Sequence, residues 1–165
     1  MERYAMKQLW APWRMDYILG DKSKGCIFCH HLSAKHSKKK LILYHGKLSL
    51  VMLNRYPYTN CHLLVAPRKH TDRLDELTRE ESLDLFLMLG KSVNLLKKAI
   101  KPDGFNVGMN MGRIAGAGVT DHLHFHIVPR WNGDTNFMPI LAESVVVPEH
   151  LEHTYERLIP LFKKF

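Results

Sequence analysis

Positions 121 to 131 read DHLHFHIVPRW, with imidazoles at His122, His124 and His126 and apolar side chains at Leu123, Phe125 and Ile127. A helix repeats its faces every 3.6 residues and cannot use that spacing. An extended strand can, because successive side chains point to opposite sides. At a rise of about 3.3 Å per residue the three rings stand roughly 6.6 Å apart in succession on one face, and the apolar residues enter a core. Three histidines in strict alternation are a poor way to make an ordinary polar surface. The run is therefore read as a functional strand, and the chain must supply a sheet to hold it.

Leu41–Tyr44 and Leu48–Leu53 read as two strands around a tight turn at His45-Gly46, and Cys61–Pro67 as a third that Pro67 stops. Phe105–Asn110 reads as a fourth strand, followed by the glycine-bearing loop MGRIAGAGVTD that delivers the histidines, and Ile140–Val147 as a further strand. The strongest helix signal begins at Thr78, where Thr78 and Glu81 fit a capping box. Phe86, Leu89, Val93, Leu96 and Ile100 then form one apolar stripe. Lys97, Lys98 and Lys101 sit near the last turn, where the helix dipole favours cations, and Pro102 and Gly104 end it. Pro148 suits the first turn of a final helix running to about Leu158.

Strands meet long helices without βαβ alternation, so the expected class is α+β, a single domain with an antiparallel sheet and a long helix packed on it. Within it we expect an amino-terminal arm over 1–40, a core over 41–131 and a carboxyl-terminal extension with a terminal helix over 132–165. Residues 9–20 suit a short helix or an arm in which Trp10 and Trp13 pack.

No apolar stretch approaches the roughly 18 residues of a membrane helix, and MERYAMKQLW lacks the apolar centre of a secretory signal. Three cysteines, an odd number, argue against a disulfide framework. These readings point to a cytoplasmic protein with reduced thiols and no membrane partner. The formal net charge is +8, part of it in KHSKKK at 35–40, which reads as a solvated loop. A nucleic-acid face would spread its cations and interleave aromatics, whereas a positive cleft equally suits a phosphorylated small molecule. Charge alone does not choose.

Two chemistries fit the histidine strand. Two imidazoles at i and i+2 can ligate a catalytic zinc with a third ligand from elsewhere. Alternatively, a neutral imidazole can attack phosphorus and hold it as a phosphoramidate, with a neighbouring ring or backbone N–H stabilising the oxygens. The C-x-x-C of Cys26 and Cys29 is open to three readings: zinc half-site, redox pair or chance. A redox pair would need a βαβ setting, which is missing. For zinc, His30 and His31 are too near in sequence, and His70 and His122 are better candidates. Cys61 reads as a small buried hydrophobe.

HLHFHIV resembles the His-φ-His-φ-His-φ-φ signature of the histidine-triad superfamily of nucleotide hydrolases and transferases. LNRYPYTNCHLLVAPRKH and NVGMNMGRIAGAGVTDHLHFHIVPRW resemble that family's two characteristic blocks. With WAPWR and CIFC, the chain is most similar to the bacterial, fragile-histidine-triad-like branch described as diadenosine-tetraphosphate phosphorylases or related hydrolases. The resemblance implies a homodimeric enzyme that cleaves dinucleoside polyphosphates at the α-phosphate through a covalent His124–AMP intermediate, with water or inorganic phosphate as second acceptor. An adenosine phosphoramidase is the alternative, and a zinc-dependent hydrolase a weaker one.

Residue by residue, the resemblance implies that His124 is the nucleophile and that His126 contacts the phosphate and the leaving oxygen. His122 would offer its carbonyl to His124 Nδ1–H, and His62 would support the triad. Asn54 would hold the ribose hydroxyls and Asn110 would lie near the α-phosphate, with backbone donors along Gly116, Gly118 and Val119. Val119 stands where many family members carry Ser or Thr, so a side-chain hydroxyl donor is missing. The resemblance also implies a structural zinc on Cys26, Cys29, His70 and His122, with no catalytic metal at His124. It implies a nucleotide partner and no nucleic acid. For the dimer, Val93 and Leu96 are the apolar residues expected to be spare.

Overall fold

The computed structural model describes residues 25–29, 37–134 and 149–164. Five strands form one antiparallel sheet: β1 (Ile42–His45), β2 (Ser49–Leu53), β3 (Leu63–Pro67), β4 (Gly104–Gly108) and β5 (Phe125–Arg130), in the order β1-β2-β3-β5-β4. The histidine strand β5 is thus internal, flanked by β3 and the edge strand β4. Gly46 closes the β1–β2 turn with its N–H on Ser49 O at 2.8 Å. A Cβ there would lie 2.7 Å from the Tyr44 ring and 3.1 Å from Ser49 O, so a larger residue would have to displace that ring.

Strand parity gives the sheet two unlike faces. Val51, Leu53, Leu63, Val65 and Ile127 point to one, where they pack against α1 (Arg79–Ile100) and α2 (Leu151–Phe162). Leu50, Met52, Leu64 and Ala66 point to the other, beneath Phe28, Cys26 and Val119. His126 pairs with Leu64 on β3 and Gly108 on β4, which puts its ring on this second face, away from the helices. The expectation of an α+β domain with helices on one side holds. No helix among the described residues is long and apolar enough to cross a membrane.

The capping box at α1 is formed: Thr78 Oγ1 accepts the Glu81 N–H at 3.2 Å, and Glu81 Oε2 accepts the Thr78 N–H at 2.9 Å. The stripe is rotated from its expected phase. Leu85, Met88, Leu89, Ser92 and Leu96 are buried, whereas Phe86 is 74% exposed. Leu85 and Phe86 are both apolar and 100° apart on the helix, so the pattern alone did not fix which faces the sheet. Leu96 is fully buried in the chain's own core and Val93 packs against that core, so Leu96 is not spare for a dimer. Leu83, Phe86 and Leu87 are the exposed apolar residues of α1.

Other boundaries move for local reasons. Cys61 is not in a strand: its φ is +60°, a left-handed turn that starts β3 only at Leu63. β4 starts at Gly104, which was expected to close the helix, and stops at Gly108 rather than Asn110. α1 is ended instead by Lys101, left-handed at φ +44°, whose N–H reaches Lys97 O. The histidine strand begins later than its alternation suggested: His122, at a bend, and His124 lie in the lead-in, and β5 runs from Phe125 through Pro129 to Arg130. α2 starts at Leu151, later than Pro148 suggested, and continues past Pro160 to Phe162. In the basic loop Lys38 is bound, 3.1 Å from Glu152 and 2.7 Å from Glu156. Residues 9–20 with Trp10 and Trp13, His30, His31, the strand expected at Ile140–Val147, and Pro148 lie outside the described residues.

Candidate active site and metal centre

His124 is 5% exposed and faces Phe28, ring centres 5.1 Å apart. Its Nδ1 lies 2.9 Å from the carbonyl oxygen of His122. A carbonyl only accepts, so Nδ1 carries the proton and donates it. Nε2 is then left with a free lone pair.

A second chain of bonds fixes the partner ring. The backbone N–H of Tyr58 points at His62 Nδ1 at 3.1 Å, which makes that nitrogen an acceptor. Asn54 Nδ2 lies 3.3 Å from the same nitrogen, and its amide is oriented because Oδ1 accepts the Tyr56 N–H at 3.0 Å. His62 must therefore carry its proton on Nε2, and this atom lies 2.9 Å from His126 Nδ1. His126 Nδ1 accepts, so its Nε2 is the protonated nitrogen. That N–H is buried and finds no hydrogen-bond partner among the described residues. An orphaned buried donor beside a ring with a free lone pair, ring centres 5.0 Å apart, is an arrangement awaiting an acceptor.

Electrostatics keep these rings neutral. Burial, then the charge that His126 and His124 would carry, pushes His62 down to about 3. Burial and then His124 push His126 down to about 4. Neutral rings keep one donor and one acceptor each, which the relay needs.

Beside His126 opens a cleft of about 490 Å³ over β4 and β5, lined among others by Tyr58, Asn106, Gly108, Asn110 and Arg130. Asn110 Nδ2 also donates to Gly116 O at 3.4 Å, holding the glycine loop at the cleft edge. Gly116 has φ +87°, a conformation that side chains rarely adopt. Val119 does not replace the missing hydroxyl but packs against the Phe28 cluster. Asn54 stands against His62, as described. Sequence reasoning missed Tyr58, whose ring lies parallel to His126 at 5.8 Å and tilted over His62 at 4.7 Å. Its spacing from His62, four residues back across an irregular turn, carried no periodic signal.

The other side of the lead-in holds a convergence of soft donors. Cys26 Sγ lies 3.2 Å from His122 Nδ1, Cys29 Sγ 3.2 Å from His70 Nδ1 and 3.6 Å from His122 Nδ1, and the two Nδ1 atoms are 3.2 Å apart. All four ligand atoms fall within 4.8 Å of one another. A tetrahedron with ordinary zinc–sulfur and zinc–nitrogen bonds has edges of about 3.3–3.8 Å, so the donor set fits that ion. The outer bonds agree: His122 Nε2–H donates to Pro67 O at 2.9 Å, turning Nδ1 inward, and His70 Nε2 lies 3.7 Å from Asp121 Oδ2. Burial and the adjacent Cys26 raise the Cys29 thiol to about 11, so the thiols resist ionising together without a cation. The geometry brings together the four residues expected, and His124 is not among these donors.

Residues 35–133 match the sequence profile of the HIT domain. An AP-4-A phosphorylase of Mycobacterium tuberculosis is 36% identical over 162 residues, covering 93% of this chain and 83% of the relative. An adenosine 5'-monophosphoramidase of Schizosaccharomyces pombe is 38% identical over 133 residues, covering 81% of this chain and 95% of the relative. Among solved structures, a zinc-bound histidine triad family protein of Mycobacterium smegmatis superposes with a TM-score of 0.66 at 25% identity, covering 85% of this chain and 94% of that one. With the triad, its supporting histidine and the sheet that carries them all in place, the chain belongs to the HIT domain family.

Proposed function

We propose that this protein is a nucleotidyl hydrolase or transferase that cleaves dinucleoside polyphosphates such as diadenosine tetraphosphate at the α-phosphate. The observation that carries the reading is the bond from His124 Nδ1–H to the His122 carbonyl, which leaves Nε2 free to attack phosphorus. In the first step the Nε2 lone pair forms a P–N bond and the P–O bond to the leaving polyphosphate breaks, the latter departing as its anion. His126 Nε2–H donates a hydrogen bond to the departing oxygen as charge gathers on it. In the second step the oxygen of water or inorganic phosphate attacks the same phosphorus, the P–N bond breaks, its electrons return to His124, and the proton of the attacking water passes to solvent. Water gives AMP and inorganic phosphate gives ADP.

His62 holds His126 in the required tautomer. Asn110 and the backbone of Gly118 and Val119 would supply donors along the phosphates, with Gly116, whose N–H is held by Arg113 O at 3.1 Å, shaping the loop, and Asn54 would face the ribose. The named activity of the M. tuberculosis relative, which aligns over most of both chains, supports this substrate class. The S. pombe relative's named activity supports the second reading, a phosphoramidase using the same nucleophile on a P–N bond.

We read Cys26, Cys29, His70 and His122 as a structural zinc site. Four protein ligands would hold the ion closed, so it would tie the amino-terminal segment to the lead-in of β5 and activate no water. A homodimer in the cytoplasm completes the proposal, with Leu83, Phe86 and Leu87 the apolar residues of α1 open to a second copy.

Incubation with diadenosine tetraphosphate, with and without inorganic phosphate, tests the reaction. ADP plus ATP is the phosphorolytic outcome and AMP plus ATP the hydrolytic one; neither pair forming removes the substrate assignment. Base-quenched protein carrying no phosphoramidate on His124 removes the covalent step, since the P–N bond survives alkali but not acid. Elemental analysis giving about one zinc per chain, and a lower melting temperature after chelation, is expected of the closed site.

A further inference from the structure

The turn that introduces His62 is gripped from outside the matched family segment. Glu149, just before α2, accepts three hydrogen bonds on Oε2: from Asn60 Nδ2 at 3.1 Å, from Thr154 Oγ1 at 2.6 Å and from Arg157 at 2.6 Å. The Thr154 hydroxyl, 1% exposed, also stands 3.2 Å from Asn60 Oδ1. The same Arg157 nitrogen reaches the next residue, lying 3.3 Å from Cys61 Sγ. Asn60 and Cys61 directly precede His62. Residues 149–157 all lie beyond position 133, where the HIT match ends.

The grip falls on a strained residue. Cys61 has φ +60°, a conformation that is unfavourable for a side-chain-bearing residue and persists only where its surroundings enforce it. At 2% exposure the side chain has no room to move to solvent. A relaxed Cys61 would rotate the peptide that begins His62 and carry its ring away from His126 Nδ1, 2.9 Å distant. His126 would then lose the bond that keeps its proton on Nε2.

We infer that the carboxyl-terminal segment is a positioning device for the histidine relay: Glu149, Thr154 and Arg157 clamp the Asn60–Cys61 turn so that His62 stays bonded to His126. The inference rests on the proposed role of His126 as donor to the leaving oxygen, and Arg157 and Glu149 act through it without touching substrate. A clamp of this kind predicts a selective loss. Weakening it should slow departure of a basic leaving group, which needs the donor, and spare a group that leaves unaided.

The test compares the phenyl and p-nitrophenyl esters of AMP in the full-length protein. Arg157→Ala is expected to lower kcat about tenfold on the phenyl ester and less than about twofold on the p-nitrophenyl ester, a part of the roughly 10²–10⁴-fold that a positioned proton donor contributes. Cys61→Gly added to Arg157→Ala should restore most of the loss, because glycine holds a positive φ without the clamp. Ring nitrogen-15 shifts should show His126 protonated on Nε2 in the parent and in mixed tautomers in Arg157→Ala. Glu149→Gln serves if Arg157→Ala does not fold.

Unchanged His126 shifts in a folded clamp variant, or equal loss on both esters, overturns the clamp. His126→Asn run alongside separates the two claims. If that variant shows no preference between the esters, the role of His126 fails, and the clamp then stands or falls on the nitrogen-15 shifts alone.

Discussion

The two faces of one sheet are built to opposite rules. On the helix side, Val51, Leu53, Leu63, Val65 and Ile127 meet Leu85, Met88, Leu89 and Leu96 of α1 and Tyr155, Leu158 and Phe162 of α2 in a continuous apolar core. On the other, a small cluster of Leu50, Met52, Leu64, Ala66 and Phe28 gives way to His62, His122 and His124, each at most 5% exposed. Burying polar rings costs free energy unless their hydrogen bonds are met. Here the bonds run in defined directions and leave one lone pair and one N–H unspent. The comparison teaches that the helix face supplies stability and spends it on holding a polar face in a single protonation pattern.

His124→Ala should separate the faces most sharply. Adenylyl transfer is expected to fall by at least about 10³-fold, since losing the proposed nucleophile would remove the covalent route. AMP affinity should stay within about tenfold, read by calorimetry on protein that circular dichroism shows to be folded. Turnover that survives would return the chemistry to another group.

Leu96→Ala probes the opposite face. A fully buried leucine truncated in a packed core costs about 2–5 kcal/mol, which denaturant titration would report. kcat per folded molecule should be unchanged. A matching fall in kcat would show that the faces are not independent.

Acidification should weaken the histidine face by a smaller amount. His62 and His126 titrate near 6.5 in the unfolded chain and near 3 and 4 in the fold. As pH falls through 6.5 the unfolded state binds protons first, so stability drains between about 6.5 and 3 by on the order of a few kcal/mol, and the loss levels off below both folded values. The slope between pH 7 and 5, before most carboxylates protonate, should be shallower in His62→Asn. An equal slope in both proteins would mean that the rings are not held neutral.

The smallest effect belongs to Lys101→Gly. Lys101 caps α1 at φ +44°, where glycine is favoured, so the change should stabilise the fold by about 0.5–1 kcal/mol in the same titration without touching activity.

Much of this was legible in the sequence, for reasons that differ by residue. The alternation declared a histidine-bearing strand, of which only the part from Phe125 forms, and Thr78 with Glu81 declared the start of α1 by a local rule obeyed locally. The spacing of Cys26, Cys29, His70 and His122 together with the resemblance named a donor set that the fold does assemble. The phase of α1 was not legible at Leu85 and Phe86, where two adjacent apolar residues compete and only the sheet decides. Nor were Lys101 and Cys61, which adopt left-handed conformations usually announced by glycine. Most hidden was the link from Glu149 and Arg157 to the turn before His62. It spans 89 residues between Asn60 and Glu149, and no local pattern encodes a contact that only tertiary packing creates.

One residue serves two masters at once. The ring of His122 turns toward the cysteines while its carbonyl holds the proton of His124. Loss of those sulfurs would free the ring of His122 to turn, and with it the carbonyl that anchors the proposed nucleophile. A change at Cys26 or Cys29 would then be felt at His124, although neither sulfur bonds to it.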